Sequence, residues 1–255
     1  MNRKAGFVTN AKEYAGAPAA AALAKAGWDV FCQDDSFTSP AVRAQYEREN
    51  PGRYAASAQD AAAFIAEGVE RFARIDALIS NDVPKGTRLM KAGSIVTSSL
   101  EAADLLEEFE VHLDSLVVEP VRLLRAALPT MKAARAGSIV LITSGAPLRT
   151  PAMGGPHGYT AARAAANMLA KSLAGELAPY NIQVNAVAPF LVYNQTFFPS
   201  EIGAADPKYA RFVKKMVPMQ RFGAPEEIGS LIWQLASGEM SFVSGQVIAF
   251  SGAGC

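Results

Sequence analysis

Apolar positions along the chain fall into two alternating rhythms. Short, mostly β-branched or aromatic runs at Ala5–Thr9, Trp28–Cys32, Ile75–Ser80, Ser138–Thr143, Ile182–Val187 and Val247–Phe250 read as buried strands. Longer segments between them carry helix-forming residues. These are Ala17–Ala26, with Pro18 in its first turn and Gly27 as its stop, then Ala58–Phe72, Ala102–Lys132, Ala161–Leu177, Pro207–Met216 and Pro225–Ala236. Pro120 predicts an interruption or bend in the long Ala102–Lys132 segment. Gln33–Ser57 is polar, helical only near Ala41–Glu49, while Val83–Ser98 and the aromatic-dense Pro189–Asp206 read as loops. No linker, repeat or low-complexity tract interrupts this order. Alternating strands and helices predict an α/β fold, with residues 1–255 forming one domain around a doubly wound parallel sheet, helices on both faces.

Composition narrows the function classes. The chain has 255 residues, half of them hydrophobic, enough for one sizeable core. Lys plus Arg and Asp plus Glu both number 24, so no net charge points to nucleic acid or an anionic membrane surface. Two cysteines, Cys32 and Cys255, make no disulfide framework, and two histidines, His112 and His157, without a Cys/His cluster predict no metal site. The first strand begins by Ala5, which leaves no room for a secretory leader, and no apolar run is long enough to span a bilayer. The expectation is a soluble cytoplasmic protein.

The chemistry gathers at one place. The Ser138 strand ends on Ser144, a loop rich in Gly and Pro follows, and Tyr159 opens an alanine-rich helix. Tyr159 and Arg163 stand four apart, on one helix face. A hydroxyl at a strand end, a phenol and a permanent cation thus converge at the carboxyl edge of a sheet, where open α/β sheets bind ligands. A phenol alone is a poor base, with a pKa of about 10. A neighbouring guanidinium favours its ionised form, and Ser144 can hold a substrate oxygen. His157, two residues before Tyr159, reads as a solvent-facing loop histidine.

The Thr9 turn, Ser80-Asn81, the Ser144 and Tyr159 pair, Asn185-Ala186-Val187-Ala188-Pro189 and Ser244-Gly245-Gln246 together resemble the short-chain dehydrogenase/reductase superfamily over essentially the whole chain. That resemblance implies a Rossmann-like sheet and, in most members, Ser, Tyr and Lys acting with a nicotinamide. Here Arg163 stands in the Lys position. The superfamily's first turn is similar to Thr-Gly-x-x-x-Gly-x-Gly. This chain has Thr9-Asn10-Ala11-Lys12-Glu13-Tyr14-Ala15-Gly16, so Asn10 and Tyr14 replace two glycines that let backbone approach a pyrophosphate. Ser80-Asn81-Asp82-Val83 likewise departs from the usual Asn-Asn-Ala-Gly.

This combination of departures resembles the haloalcohol, or halohydrin, dehalogenases, as do the Thr9-Asn10 turn with its aromatic Tyr14, Ser80-Asn81-Asp82 and the Pro189–Pro199 loop. The family resemblance implies a Ser144-Tyr159-Arg163 triad, no cofactor, and conversion of vicinal haloalcohols to epoxides and halide. It implies the reverse as well, with azide, cyanide or nitrite opening the epoxide. It implies a halide pocket of Tyr14, Pro189, Phe190 and Leu191, a substrate lining of Val83, Pro84, Pro147 and Phe198, and a homotetramer. The interval from Ser144 to Tyr159 is longer than usual in that family, which bears on the loop over the substrate. An NAD(P)-dependent oxidoreductase with an atypical cofactor site is the alternative, and a non-catalytic relative a further one.

Overall fold

A computed structural model describes residues 3–84, 99–150, 156–195, 197–199 and 207–255, the backbone alone at 207–209. Seven strands form one sheet: β1 (Ala5–Val8), β2 (Asp29–Cys32), β3 (Arg53–Ala55), β4 (Ala77–Asn81), β5 (Gly137–Ile142), β6 (Ile182–Pro189) and β7 (Val247–Phe250). They lie in the order β3-β2-β1-β4-β5-β6-β7, and every pairing is parallel. The helices are α1 (Gly16–Lys25), α2 (Pro40–Glu49), α3 (Ala61–Phe72), α4 (Leu105–Leu113), α5 (Glu119–Ala134), α6 (His157–Leu177), α7 (Pro207–Met216) and α8 (Pro225–Ala236). The Rossmann-like architecture expected from the sequence is the one observed.

Strand alternation builds a core on each face. Val8, Val30, Ile79, Val140 and Ile142 point toward α1 and α8, where Leu23, Ile228 and Ile232 meet them. Phe7, Phe31, Leu78, Ile139 and Leu141 point the other way, toward Phe64 of α3, Leu123 and Met131 of α5, and Ala170 of α6. The strand order reverses between β1 and β4, and a crevice at such a switch point is where α/β sheets take ligands. Thr9, Asp82 and Ser144 all lie just beyond the carboxyl ends of β1, β4 and β5.

Three elements differ from the sequence expectation. The polar stretch after β2 contains β3, a three-residue edge strand paired only with β2. The long helix starts at Leu105, and the interruption expected near Pro120 is a wide π-type turn at Asp114–Val118, just before that proline. Pro120 directly follows that wide turn inside the continuous helix, where its missing N–H leaves a gap in the hydrogen-bond ladder. Helix α6 begins at His157, so Tyr159 lies inside its first turn. Most of the Val83–Ser98 loop lies outside the described residues.

Candidate functional site

The first turn keeps a glycine backbone without the glycines. Asn10 and Tyr14 hold φ of 44° and 46°, left-handed conformations at the two positions where glycine was expected. Asn tolerates that region, whereas for a Tyr it costs on the order of 1 kcal/mol or more. The turn is tied down by side chains. Asn10 Nδ2 donates to the Asn81 carbonyl at 2.7 Å, and Asn81 Nδ2 returns the bond to the Asn10 carbonyl at 3.0 Å. Gly16 remains because a Cβ there would stand 2.3 Å from that same Asn10 oxygen.

Five N–H groups of this turn face protein acceptors. Asn10 N–H donates to Gln33 Oε1, Ala11 N–H to the Gln33 carbonyl, and Lys12 N–H to Asp34 Oδ2. Glu13 N–H donates to the Asn10 carbonyl and Gly16 N–H to the Glu13 carbonyl. A pyrophosphate needs such groups free at a helix N-terminus. Asp34, the acid after β2, is buried and occupied by Lys12 N–H and by the N–H and hydroxyl of Ser36. The Tyr14 ring is buried, packs edge-on against Phe197 at 5.4 Å, and sends its hydroxyl to the Thr143 carbonyl at 3.4 Å. Burial, with the nearby Tyr159 second, holds the Tyr14 phenol well above its ordinary pKa, against the opposing charge of Arg163. These residues do not fit a dinucleotide.

Arg163 meets Tyr159 beside the ends of β4 and β5, and Ser144 lies just beyond the end of β5. Ser144 Oγ accepts the Ala146 N–H at 3.1 Å, which leaves its own proton to donate. Arg163 is fully buried: its Nη1 donates to the Ile142 carbonyl at 2.8 Å and its Nη2 to the Asp82 carbonyl at 2.7 Å. The guanidinium carbon lies over the Tyr159 ring, 5.2 Å from its centre. Arg163 therefore clamps β4 to β5 as well as flanking the phenol through a cation–π contact.

The other expected residues are spread around this centre. Pro189 ends β6 and accepts the Gly145 N–H at 2.8 Å, tying the Ser144 loop to β6. Leu191 takes a left-handed φ of 51°. Phe190 has its ring covered by the Arg149 guanidinium at 4.7 Å, and Phe198 packs on Phe222 at 5.5 Å. Leu191, Phe190 and Phe198 form a small apolar cluster with Val213, Val217 and Phe222, whereas Tyr14 belongs to the core beneath α1. Val83 lines a cavity of about 730 Å³ with Asn10, Asp82 and Val111. Pro84 is buried, and Pro147 is half-buried in a single turn after Ser144.

Sequence reasoning passed over His112. It is fully buried on α4, and its ring meets the Tyr159 ring edge-on at 5.8 Å. Its Nδ1 lies 2.7 Å from the Glu108 carbonyl, and burial holds its pKa below the ordinary value. The sign follows from linkage. As pH falls through the unfolded value of about 6.5, the unfolded chain takes up a proton that folded His112 resists, so stability drops. Thermal melts should show this acid-side loss in the wild type, and His112→Phe should flatten it.

Comparison with known proteins follows the same line. A family model described as Enoyl-(Acyl carrier protein) reductase matches residues 15–252. The chain belongs to the short-chain dehydrogenase/reductase superfamily. Dehydrogenase/reductase SDR family member 4 of Homo sapiens is 31% identical over 196 residues, which is 76% of this chain and 65% of that protein. A tropinone reductase homolog of Arabidopsis thaliana is 32% identical over 146 residues, 57% of this chain and 53% of that relative. The chain thus spans about half to two thirds of the length of these curated relatives. A solved structure named as a dehalogenation enzyme has a TM-score of 0.89 at 32% identity, covering 100% of this chain and 99% of that one. A halohydrin dehalogenase bound to ethyl (2S)-oxiran-2-ylacetate has a TM-score of 0.88 at 29% identity, covering 98% and 96%. The resemblance to halohydrin dehalogenases read from the sequence is present in the fold. Among the described residues, no helix is long and apolar enough to cross a membrane.

Proposed function

We propose that this chain converts small vicinal haloalcohols to epoxides and halide without a nicotinamide. The observation that carries the reading is the filled first turn, whose N–H groups serve Gln33, Asp34 and the turn itself while Tyr14 occupies a glycine position. A hydride carrier has no cradle there, yet Ser144, Tyr159 and Arg163 remain. Similarity to a dehalogenation enzyme at 32% identity over the full chain supports the same conclusion.

In this reading Ser144 donates to the substrate hydroxyl oxygen and Tyr159, flanked by Arg163, removes its proton. The alkoxide oxygen attacks the adjacent carbon, the carbon–halogen bond breaks, and halide leaves with the bonding pair. Nucleophile and leaving group sit on neighbouring carbons, so alignment supplies most of the rate. The halide would rest among Tyr14, Pro189, Phe190 and Leu191, where the positive edges of the rings attract an anion. The left-handed Leu191 turns the chain at this point, which suits that role. Val83, Pro84, Pro147 and Phe198 would bound the substrate. The site run backwards would open epoxides with azide, cyanide or nitrite. Exposed Leu106, Leu113, Val118, Val121 and Met168 on α4 to α6 suit burial in a homotetramer.

Halide release from a panel of chloro- and bromoalcohols, measured without added nucleotide, is the direct test. Turnover is expected, with epoxide as the product. Strict dependence on NADPH would instead establish an oxidoreductase.

A further inference from the structure

The residues proposed to hold the halide are short of hydrogen-bond donors. Pro189 has no N–H, the Phe190 N–H is taken by the Phe250 carbonyl at 3.0 Å, and the Tyr14 hydroxyl is directed at the Thr143 carbonyl. Ring edges are only partially positive. An anion drawn out of water needs a stronger source of positive potential.

The arginines of this region differ in what they already hold. Arg163 directs two nitrogens at the Ile142 and Asp82 carbonyls. Arg221, next to Phe222, is paired through both terminal nitrogens with the Glu227 carboxylate, each at 2.7 Å. Arg149 is the exception. Its guanidinium lies over the half-buried Phe190 ring, 4.7 Å from the centre, and among the described residues no carboxylate pairs with it.

The chain brings Arg149 there through a close approach. A Cβ at Gly145 would stand 2.9 Å from Phe190 Cβ, and the Gly145 N–H donates to the Pro189 carbonyl at 2.8 Å, so the loop after Ser144 rests on the end of β6. The single turn Ala146–Leu148 follows, and Arg149 leaves it in an extended conformation. Gly254 gives the ring its room, since a Cβ there would lie 2.8 Å from Phe190 Cδ1. Arg149 belongs to the interval between Ser144 and Tyr159 that is longer than usual in the family the sequence resembles.

We propose that Arg149 is a positioning residue for the leaving halide: it holds the Phe190 ring by its face, so that the ring's positive edge and the guanidinium charge act together on the anion. This rests on the dehalogenase reading above. An aromatic ring is negative on its face and positive at its edge, so a cation on the face leaves the edge for an anion. The same pull serves azide, cyanide or nitrite entering for the reverse reaction.

The experiment compares wild type with Arg149→Met, which packs on the ring without charge, and Arg149→Lys, which keeps a cation. Chloride binding is followed by ³⁵Cl line broadening, which needs no turnover. Arg149→Met should raise the chloride dissociation constant about three- to tenfold, and Arg149→Lys should recover most of that loss. In epoxide opening, half-saturation by azide should rise by a similar factor in Arg149→Met, while half-saturation by the neutral epoxide stays within about twofold. In a Phe190→Leu background the same Arg149→Met change should alter chloride affinity by about twofold or less, because the ring edge is gone. Unchanged chloride affinity in Arg149→Met overturns the proposal. Equal loss for chloride, azide and epoxide overturns it too, since that marks a loop that has only lost its shape. A full effect without the Phe190 ring would place the chloride on Arg149 alone and overturn the role of the ring. A wild type with no saturable chloride site would defeat the halide pocket of the dehalogenase reading itself, and this proposal with it.

Discussion

Replacing Tyr159 with Phe is expected to reduce halide release to background at every pH, a fall of about a hundredfold to ten-thousandfold. The change removes one oxygen. The ring that lies under Arg163 and against His112 stays, so the packing around it is kept and the melting temperature should barely move. Neither Ser144 nor Tyr14 can take the substrate proton in its place: Ser144 has no base of its own, and Tyr14 is held protonated by burial with its hydroxyl on the Thr143 carbonyl. Loss at all pH values separates a missing base from a mistuned one, since raising pH cannot ionise a phenyl ring. The assay is steady-state halide release with a matched melting curve. Retention of activity within about tenfold would move the base elsewhere, and His112 would be the nearest candidate.

The sheet was legible in the sequence because each strand is a short apolar run on a parallel sheet buried on both faces. β3 was not, since Arg53-Tyr54-Ala55 is brief, charged and at an edge, where burial leaves little imprint. Pro120 marked the place of the break in the long helix, but not its form as a wide turn at Asp114–Val118, because such turns carry no residue signature of their own. At the site, the shared helix face of Tyr159 and Arg163 could be read from their spacing, and the left-handed Tyr14 from its place in a glycine-rich pattern. Two roles could not. Arg163 donates to the carbonyl of Asp82, 81 residues away, a contact that no local pattern carries. His112 is a lone histidine between Val111 and Leu113, and nothing in the local pattern separates it from a solvent-facing residue, although it is the buried residue of α4.

Arg163→Gln is expected to act on two levels that a pH profile can separate. The first is stability. Arg163 is fully buried and holds the Ile142 and Asp82 carbonyls at the ends of β5 and β4. A Gln side chain is too short and carries too few donors to reach both, so stability should fall by on the order of 2–4 kcal/mol. The second is chemistry. In the proposed reading, the permanent cation over the Tyr159 ring stabilises the negative charge that gathers on its oxygen and on the substrate oxygen during ring closure, so removing it should lower the rate at neutral pH sharply. The deficit should narrow as pH rises and the substrate proton becomes easier to remove. Arg163→Lys should be milder on the chemical level, because a cation remains, yet still destabilising, because one ammonium replaces a planar fork that serves two carbonyls. The measurement is halide release against pH for wild type and both variants, at a temperature where all three are folded. A deficit that narrows with pH in Arg163→Gln and is small in Arg163→Lys gives Arg163 an electrostatic role beside its structural one. A deficit of one constant factor across the whole profile would mean that Arg163 only sets the distance between β4 and β5, and that the phenol ionises without its help.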